Sequence, residues 1–425
     1  MSESAQQNAE SDRIVRTSAW ELSVPRTVGD ASPLLVVPTV HPRGDRRIIR
    51  CAQVALDAGF RVHFVWLGEG TPSADAAVSE TVLPSPRNAR ERIGMVNGVA
   101  REAAARLADA WHIHDYYFLR AAKRWQRHSG RAVLYDVHEY YADYYAGKLP
   151  VPAVVQRGVA WMLERYQVRS AKRLGAANVV TEKMAGPFRE AGVPVSVSPN
   201  FPLLTQFESL PSRPFEDRRW SVLHIGTLSR GYGTELLVRL AARSAERDLP
   251  FTFHVLARYP SVEHQADFEG LLSEASNPPN VEVLPSRPSH EMPALLSRMG
   301  FGLSLLMPDG QNETAVPSKN YEHVMAGLVN VVTTRRAQRE FSREHAVMVD
   351  GDPESCDDML DAMLRLAEDA EATDAALREK AAAAKETFTW ERGVAPGLAA
   401  QLRGLLTSSS EARLRSSARH HGRRR

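Results

Sequence analysis

Cysteine is nearly absent: Cys51 and Cys356 are the only two in 425 residues. Neither lies in a Cys-x-x-Cys or Cys/His spacing, which excludes a zinc module and a disulfide framework and makes a reducing cytoplasm the expected compartment. No apolar run approaches the roughly 18 residues that argue for a transmembrane helix, and residues 1–30 lack the apolar stretch of an export signal. Excess charge is also missing. Against 53 Lys and Arg stand 51 Asp and Glu, a net charge of +2, so there is no global bias toward nucleic acid. No short period repeats along the chain.

What is present is an α/β rhythm in a chain of a length that suits two domains. After a polar, disordered-looking head (1–30), short β-rich runs at Leu34 to Pro38, Arg61 to Trp66, Ala110 to Ile113, Ala132 to Tyr135 and Asn178 to Thr181 alternate with helical segments. Residues 201–219, with Pro202, Pro211 and Pro214, have linker composition, and the rhythm restarts at Trp220. Such alternation predicts two doubly wound Rossmann-like domains, 31–200 and 220–390, with ligands beyond the carboxyl ends of the strands. A helix at 391–407 is expected to pack back on the first domain, and a basic disordered tail, 408–425, ends the chain.

The most informative stretch is Pro317-Ser318-Lys319-Asn320-Tyr321-Glu322-His323-Val324-Met325-Ala326-Gly327. It lies between the apolar runs Phe301 to Leu306 and Val329 to Val332. Pro317 can open a helix and Gly327 can close it. The free N–H groups of the first turn, at the positive end of the helix dipole, suit a diphosphate. Glu322, about one turn on, suits the vicinal hydroxyls of a ribose. Upstream, Leu223-His224-Ile225-Gly226-Thr227-Leu228-Ser229-Arg230-Gly231-Tyr232-Gly233 reads as a strand end and glycine-rich turn that lets backbone approach a phosphate.

Together with Asp136-Val137-His138-Glu139 and Val197-Ser198-Pro199-Asn200, these segments resemble, in order, the motifs of family-four retaining glycosyltransferases of the GT-B fold, from about residue 33 to 407. The resemblance implies transfer of a hexosyl unit from an α-linked nucleoside diphosphate sugar to a glycan or lipid-linked acceptor, with retention and without metal. It assigns donor binding to Gly226, Thr227, Arg230, Ser318, Lys319 and Glu322. His138 resembles the family's histidine beside the donor sugar; a strand-end histidine bonded to backbone is the alternative. The family's phosphate-loop arginine and lysine fall here on Thr227 and Tyr232, which leaves Arg230 and Lys319 to take leaving-group charge. Its first glutamate falls on Thr314, so Glu313, one place away, is the expected catalytic substitute. Two other classes stay open: a nucleotide-sugar 2-epimerase on the same fold, and a non-catalytic nucleotide-sugar-binding assembly protein.

Other features are less specific. In His41-Pro42-Arg43-Gly44-Asp45-Arg46-Arg47, Asp45 is a natural helix cap. Asp45 and Arg47, with Arg43 beside them, read as an acceptor- or phosphate-binding set, or else the arginines are solvated beside Asp45. His112 and His114 share a strand face as a metal pair would, with no third ligand evident in the sequence. Asp350-Gly351-Asp352 spells a metal motif of another glycosyltransferase fold, yet Asp352-Pro353 reads better as a cap with proline at the first helical position. The tail, with six arginines from Arg413 to Arg425, suits an anionic membrane surface better than nucleic acid. A second basic and aromatic patch, or a solvated helix face, is expected around Arg120, Lys123, Arg124, Trp125, Arg127 and Arg131.

Overall fold

The computed structural model describes residues 12–407, apart from 140, 148, 209, 211–212, 288–290 and 309–311. The residues divide into two compact units, one up to Asn200 and resuming at Val394, the other Phe201–Gly393. The basic tail beyond residue 407 lies outside the described residues. No described helix is long and apolar enough to cross a membrane.

The first unit is built on a seven-stranded sheet. Its strands run in the spatial order Val78–Leu83, Arg61–Leu67, Leu34–Pro42, Ala110–Ile113, Val133–Val137, Gly175–Val179 and Val195–Val197, all parallel. Leu34–Pro42 and Ala110–Ile113 are neighbours although two strands separate them in sequence, so the order reverses there. A doubly wound sheet opens its ligand crevice at such a point. The central strands are apolar on both faces because helices cover both; Leu35, Val36, Ile113 and Tyr135 are fully buried. Residues 395–407 form a helix that buries Leu398, Leu402 and Leu405, and its Gln401 donates to the Pro194 carbonyl at 3.0 Å.

The expected disordered head is corrected by an antiparallel hairpin, Arg13–Arg16 with Glu21–Val24. Its polar composition conceals a period-two face, Trp20, Leu22 and Val24, which is buried. Trp20 Nε1 donates to Glu80 Oε1 at 2.8 Å, and its ring lies 5.9 Å from that of Phe64.

The second unit carries a six-stranded parallel sheet in the order Val281–Val283, Thr252–Arg258, Ser221–Thr227, Phe301–Ser304, Val329–Thr333 and Met348–Gly351. Here too the order reverses, between Ser221–Thr227 and Phe301–Ser304. The segment of linker composition is also corrected, since it packs on this unit. Phe207 and Phe215 are buried, Phe215 meets Phe301 edge-on at 5.7 Å, and Arg218 Nη1 donates to the Met299 carbonyl at 2.6 Å. Its prolines set an irregular path while its aromatic residues anchor that path to the core. Around Pro353 the chain makes a turn, and the helix begins later, at Cys356, behind Ser355. Asp352 Oδ1 accepts from the Glu354 amide at 3.0 Å, while Asp350 pairs with Arg339.

Candidate functional site

In the first unit, three strand ends at the reversal point bring histidines together. Leu34–Pro42 carries His41, Ala110–Ile113 leads into His114 and Asp115, and Val133–Val137 leads into His138. His41 sits between two carboxylates, with Nδ1 3.5 Å from Asp45 Oδ2 and Nε2 3.2 Å from Asp115 Oδ1. Burial opposes its charge, but the hydrogen bonds and attraction of Asp115 and Asp45 outweigh that and raise its pKa to about 10. Asp45 also caps the helix Arg46–Asp57, its Oδ1 accepting from the amides of Arg47 at 3.0 Å and Ile48 at 3.3 Å.

His138 is the opposite case. Burial, reinforced by Arg47 and His41 and only partly offset by Asp136, lowers its pKa to about 4. It is therefore neutral near pH 7. His138 Nε2 lies 3.0 Å from His114 Nδ1, and its ring centroid lies 5.3 Å from that of His41.

Beneath this surface, Asp136 organises a buried polar core. Its Oδ1 accepts from Arg47 Nη2 at 2.8 Å and its Oδ2 from Asn178 Nδ2 at 3.0 Å, while His112 Nε2 stands 3.4 Å from Oδ2. Burial alone would favour the acid form, but Arg47 and the surrounding histidines hold the carboxyl well below its usual range. The other Arg47 nitrogen, Nη1, donates to the Ser198 carbonyl at 2.8 Å and Asn200 Oδ1 at 3.0 Å. Thus Arg47 faces the interior as the partner of a buried carboxylate, in place of the expected phosphate contact. Arg43 likewise turns inward, donating to Glu80 at 2.7 and 3.0 Å and to the carbonyls of Glu69 and Thr71. A helix cap is visible in local sequence; a partner 89 residues away is not.

His112 and His114 do not act as one metal pair: each falls in a separate cluster, and the two clusters share Asp136. Donor atoms of His114, Asp136 and His138, and of Cys51, His112 and Asp136, lie within 4.8 Å of one another. Arg47 already neutralises Asp136 from inside this cluster, so a divalent cation would enter beside a fixed positive charge. The arrangement is that of a hydrogen-bonded polar core supporting His138.

In the second unit, two strand ends flank the reversal point. Ser221–Thr227 leads through Gly226, with φ of +116°, and through Thr227 into a short turn, Arg230–Tyr232, and the helix Thr234–Glu246. Gly233 is required: its φ is +72°, and an added Cβ would stand 2.3 Å from the Leu305 carbonyl oxygen. Arg230 is exposed on this turn. Asn312, passed over in the sequence, ties the turn to the next strand end, its Nδ2 donating to the carbonyls of Gly231 at 3.1 Å and Met307 at 2.9 Å.

The other strand end leads to the helix Ser318–Met325. Pro317 is its N-cap, one place earlier than the first helical position, and Gly327, with φ of +71°, follows its end. Asn320, His323, Val324 and Met325 are buried, and Tyr321 packs edge-on against Phe201 and Phe341, each at 4.8 Å. His323 Nδ1 lies 3.0 Å from Asn330 Oδ1. These contacts fix the helix in direction, with Ser318 exposed at its start. Desolvation lowers the Lys319 ammonium to a pKa of about 8, with Glu322 opposing the shift. Glu313 is not a free loop carboxylate. It pairs with Arg335 and accepts from the Arg336 amide at 3.3 Å, at the start of the helix Arg336–His345.

No protein-family model and no curated protein matches the chain. Solved structures do. An α,α-trehalose-phosphate synthase (UDP-forming) from Burkholderia vietnamiensis superposes with a TM-score of 0.61 at 16% identity, over 89% of this chain and 100% of that one. Anabaena HepE, in complex with UDP and glucose, gives 0.62 at 13% identity, over 89% and 100%. Sucrose-phosphate synthase from Thermosynechococcus elongatus gives 0.64 at 12% identity, over 90% and 100%. The fold is GT-B. At these identities the likeness concerns architecture, and the chemistry rests on the residues described above.

Proposed function

We propose that this GT-B protein is a glycosyltransferase that moves a hexosyl unit from an α-linked uridine diphosphate sugar to a glycan or lipid-linked acceptor, with retention. The observation that carries this reading is the fixed Ser318–Met325 helix, with Lys319 on its first turn and Glu322 one turn on, in a unit whose reversal point also bears the Gly226 to Gly233 turn. The helix start and Lys319 bind the diphosphate, Arg230 adds charge from the turn, and Glu322 holds the ribose. In the first unit, Nε2 of neutral His138 is engaged by His114, which leaves Nδ1 as the ring nitrogen for a ligand. Glu313 fastens the chain before Pro317 to the next helix.

In the proposed reaction the acceptor hydroxyl attacks on the face from which the diphosphate departs, and the departing charge is held by Lys319, Arg230 and the helix start without a metal. Uridine is favoured because HepE is known in complexes with UDP and with UDP-glucose. Cytoplasmic cell-surface polysaccharide or glycolipid synthesis suits such an enzyme, and the basic tail would contact an anionic membrane.

Thermal unfolding with UDP, GDP or ADP, followed by incubation with a panel of UDP-sugars and acceptors, tests the reading. At roughly 100 times its Kd, UDP should raise Tm by about 5–10 °C, and α-linked transfer should survive EDTA. Absence of any nucleotide shift sinks the donor assignment, and activity lost to EDTA and restored by manganese or magnesium sinks the metal-free mechanism. A 2-epimerised sugar nucleotide would instead identify an epimerase, and binding without turnover an assembly protein.

Lys319 gives the site a pH signature. Its ammonium is charged below its pKa of about 8, and phosphate prefers the charged form. UDP affinity should therefore fall as pH rises through and beyond 8, by up to about tenfold per unit. Calorimetry from pH 7 to 9.5 measures this, and Lys319→Arg should flatten the profile because guanidinium stays charged. A flat wild-type profile removes Lys319 from the diphosphate.

A further inference from the structure

The long helix Ala153–Leu174 is packed along only part of its length. Its first buried residue is Gln167, and no residue from 151 to 166 is buried. The exposed part is apolar: Val154 is 66% exposed, Trp161 59% and Met162 57%, with Val155 and, ahead of the helix, Leu149 and Val151 also exposed. From 149 to 163 the sole charged residue is Arg157. Scattered surface apolar side chains are ordinary, but several exposed on the same stretch of one helix, among them Val154, Val155, Trp161 and Met162, are not.

Beyond this apolar part the helix turns basic. Lys123, Arg165, Arg169 and Arg173 surround Trp161 and Met162 in a surface hollow that no acidic side chain lines. The Arg165 guanidinium lies 4.6 Å from the Trp161 ring centre and the Lys123 ammonium 4.3 Å from that of Tyr166. The patch expected around helix Leu119–Ser129 is corrected in one respect: Trp125 is buried, stacked on Trp111 at 5.6 Å, so that helix contributes cations and no exposed indole.

We infer that the helix Ala153–Leu174 is a docking face for an anionic phospholipid surface. The exposed apolar residues enter the outer acyl region, and the arginines and Lys123 lie at the level of the phosphates. Trp161 and Tyr166, each apolar in body and polar at the tip, suit the boundary between the layers. A second copy of this chain fits less well, because a twofold contact would set the same cations against one another. The inference concerns this helix alone and does not depend on the transfer reaction.

Full-length protein sedimented with vesicles of phosphatidylcholine, or of phosphatidylcholine with phosphatidylglycerol, tests the inference. Binding should require phosphatidylglycerol and weaken with salt. It should fall at least tenfold in Trp161→Ser/Met162→Ser and in Arg165→Glu/Arg169→Glu, but not in Val262→Ser, which alters an isolated apolar residue that is 80% exposed. Brominated acyl chains should quench tryptophan emission of bound wild type and not that of bound Trp161→Phe, which separates this face from attachment through the tail. Equal binding by all variants with no Trp161-dependent quenching overturns the inference. So does self-association that Trp161→Ser abolishes in a protein that ignores vesicles.

Discussion

Asp136→Ala should destabilise the first unit by about 3–5 kcal/mol, since it strands the Arg47 guanidinium in the interior without its counter-charge. Asp136 is fully buried, and Arg47 reaches it at 2.8 Å. For a unit of this size the loss corresponds to a fall in Tm of roughly 6–20 °C. Arg47→Met alone should cost a similar amount, by leaving the carboxylate unpaired. The double variant Arg47→Met/Asp136→Leu should recover much of either loss, because neither desolvated charge remains. Differential scanning calorimetry of the four proteins measures the coupling. Strictly additive losses would mean that Arg47 and Asp136 do not act as a pair, and a fully stable Arg47→Met would restore the arginine as a candidate for ligand binding.

Glu322→Ala should weaken binding of free UDP by about 1.5–3 kcal/mol, the range for charge-assisted hydrogen bonds, or roughly 10- to 150-fold in Kd. Glu322 stands on a helix held in place by its neighbours Asn320, Tyr321 and His323, which fixes the backbone that carries the carboxylate. Glu313→Ala serves as the comparison. Its carboxylate caps the helix Arg336–His345 beside Arg335, and its removal should leave UDP affinity near wild type. Titration calorimetry with UDP decides the matter: an unchanged Kd for Glu322→Ala would mean that the helix does not hold a ribose.

The candidate residues of the two units differ in how far sequence could reveal them. In the second unit the parts are neighbours along the chain: a cap, a lysine and a glutamate within one helix, and glycines within one turn. Helical periodicity turns that local spacing directly into geometry. In the first unit the candidate residues come from strand ends that meet only in the folded sheet. His138 stood out in the sequence, whereas its association with His41 and the pairing of Arg47 with Asp136 did not, because parallel strand order has no local signature. The same limit hid the Glu313–Arg335 pair, which spans 22 residues. In fold, alternating apolar runs marked most of the central strands. The hairpin at Arg13–Val24 and the packing of Phe207 and Phe215 were obscured because average composition outweighs a few anchoring aromatics.

The return of the chain to the first unit at Val394 has a consequence for synthesis on the ribosome. Phe201–Gly393 is an uninterrupted segment whose sheet and covering helices are all translated before the final helix. The first unit, begun earlier, lacks Leu398, Leu402 and Leu405 until the last part of the described chain has emerged. The later-translated unit can therefore reach its native core first, while the earlier one waits with an uncovered apolar surface. That reverses the usual amino-to-carboxyl order of domain completion and extends the period of greatest exposure to chaperones until residues 395–407 have emerged.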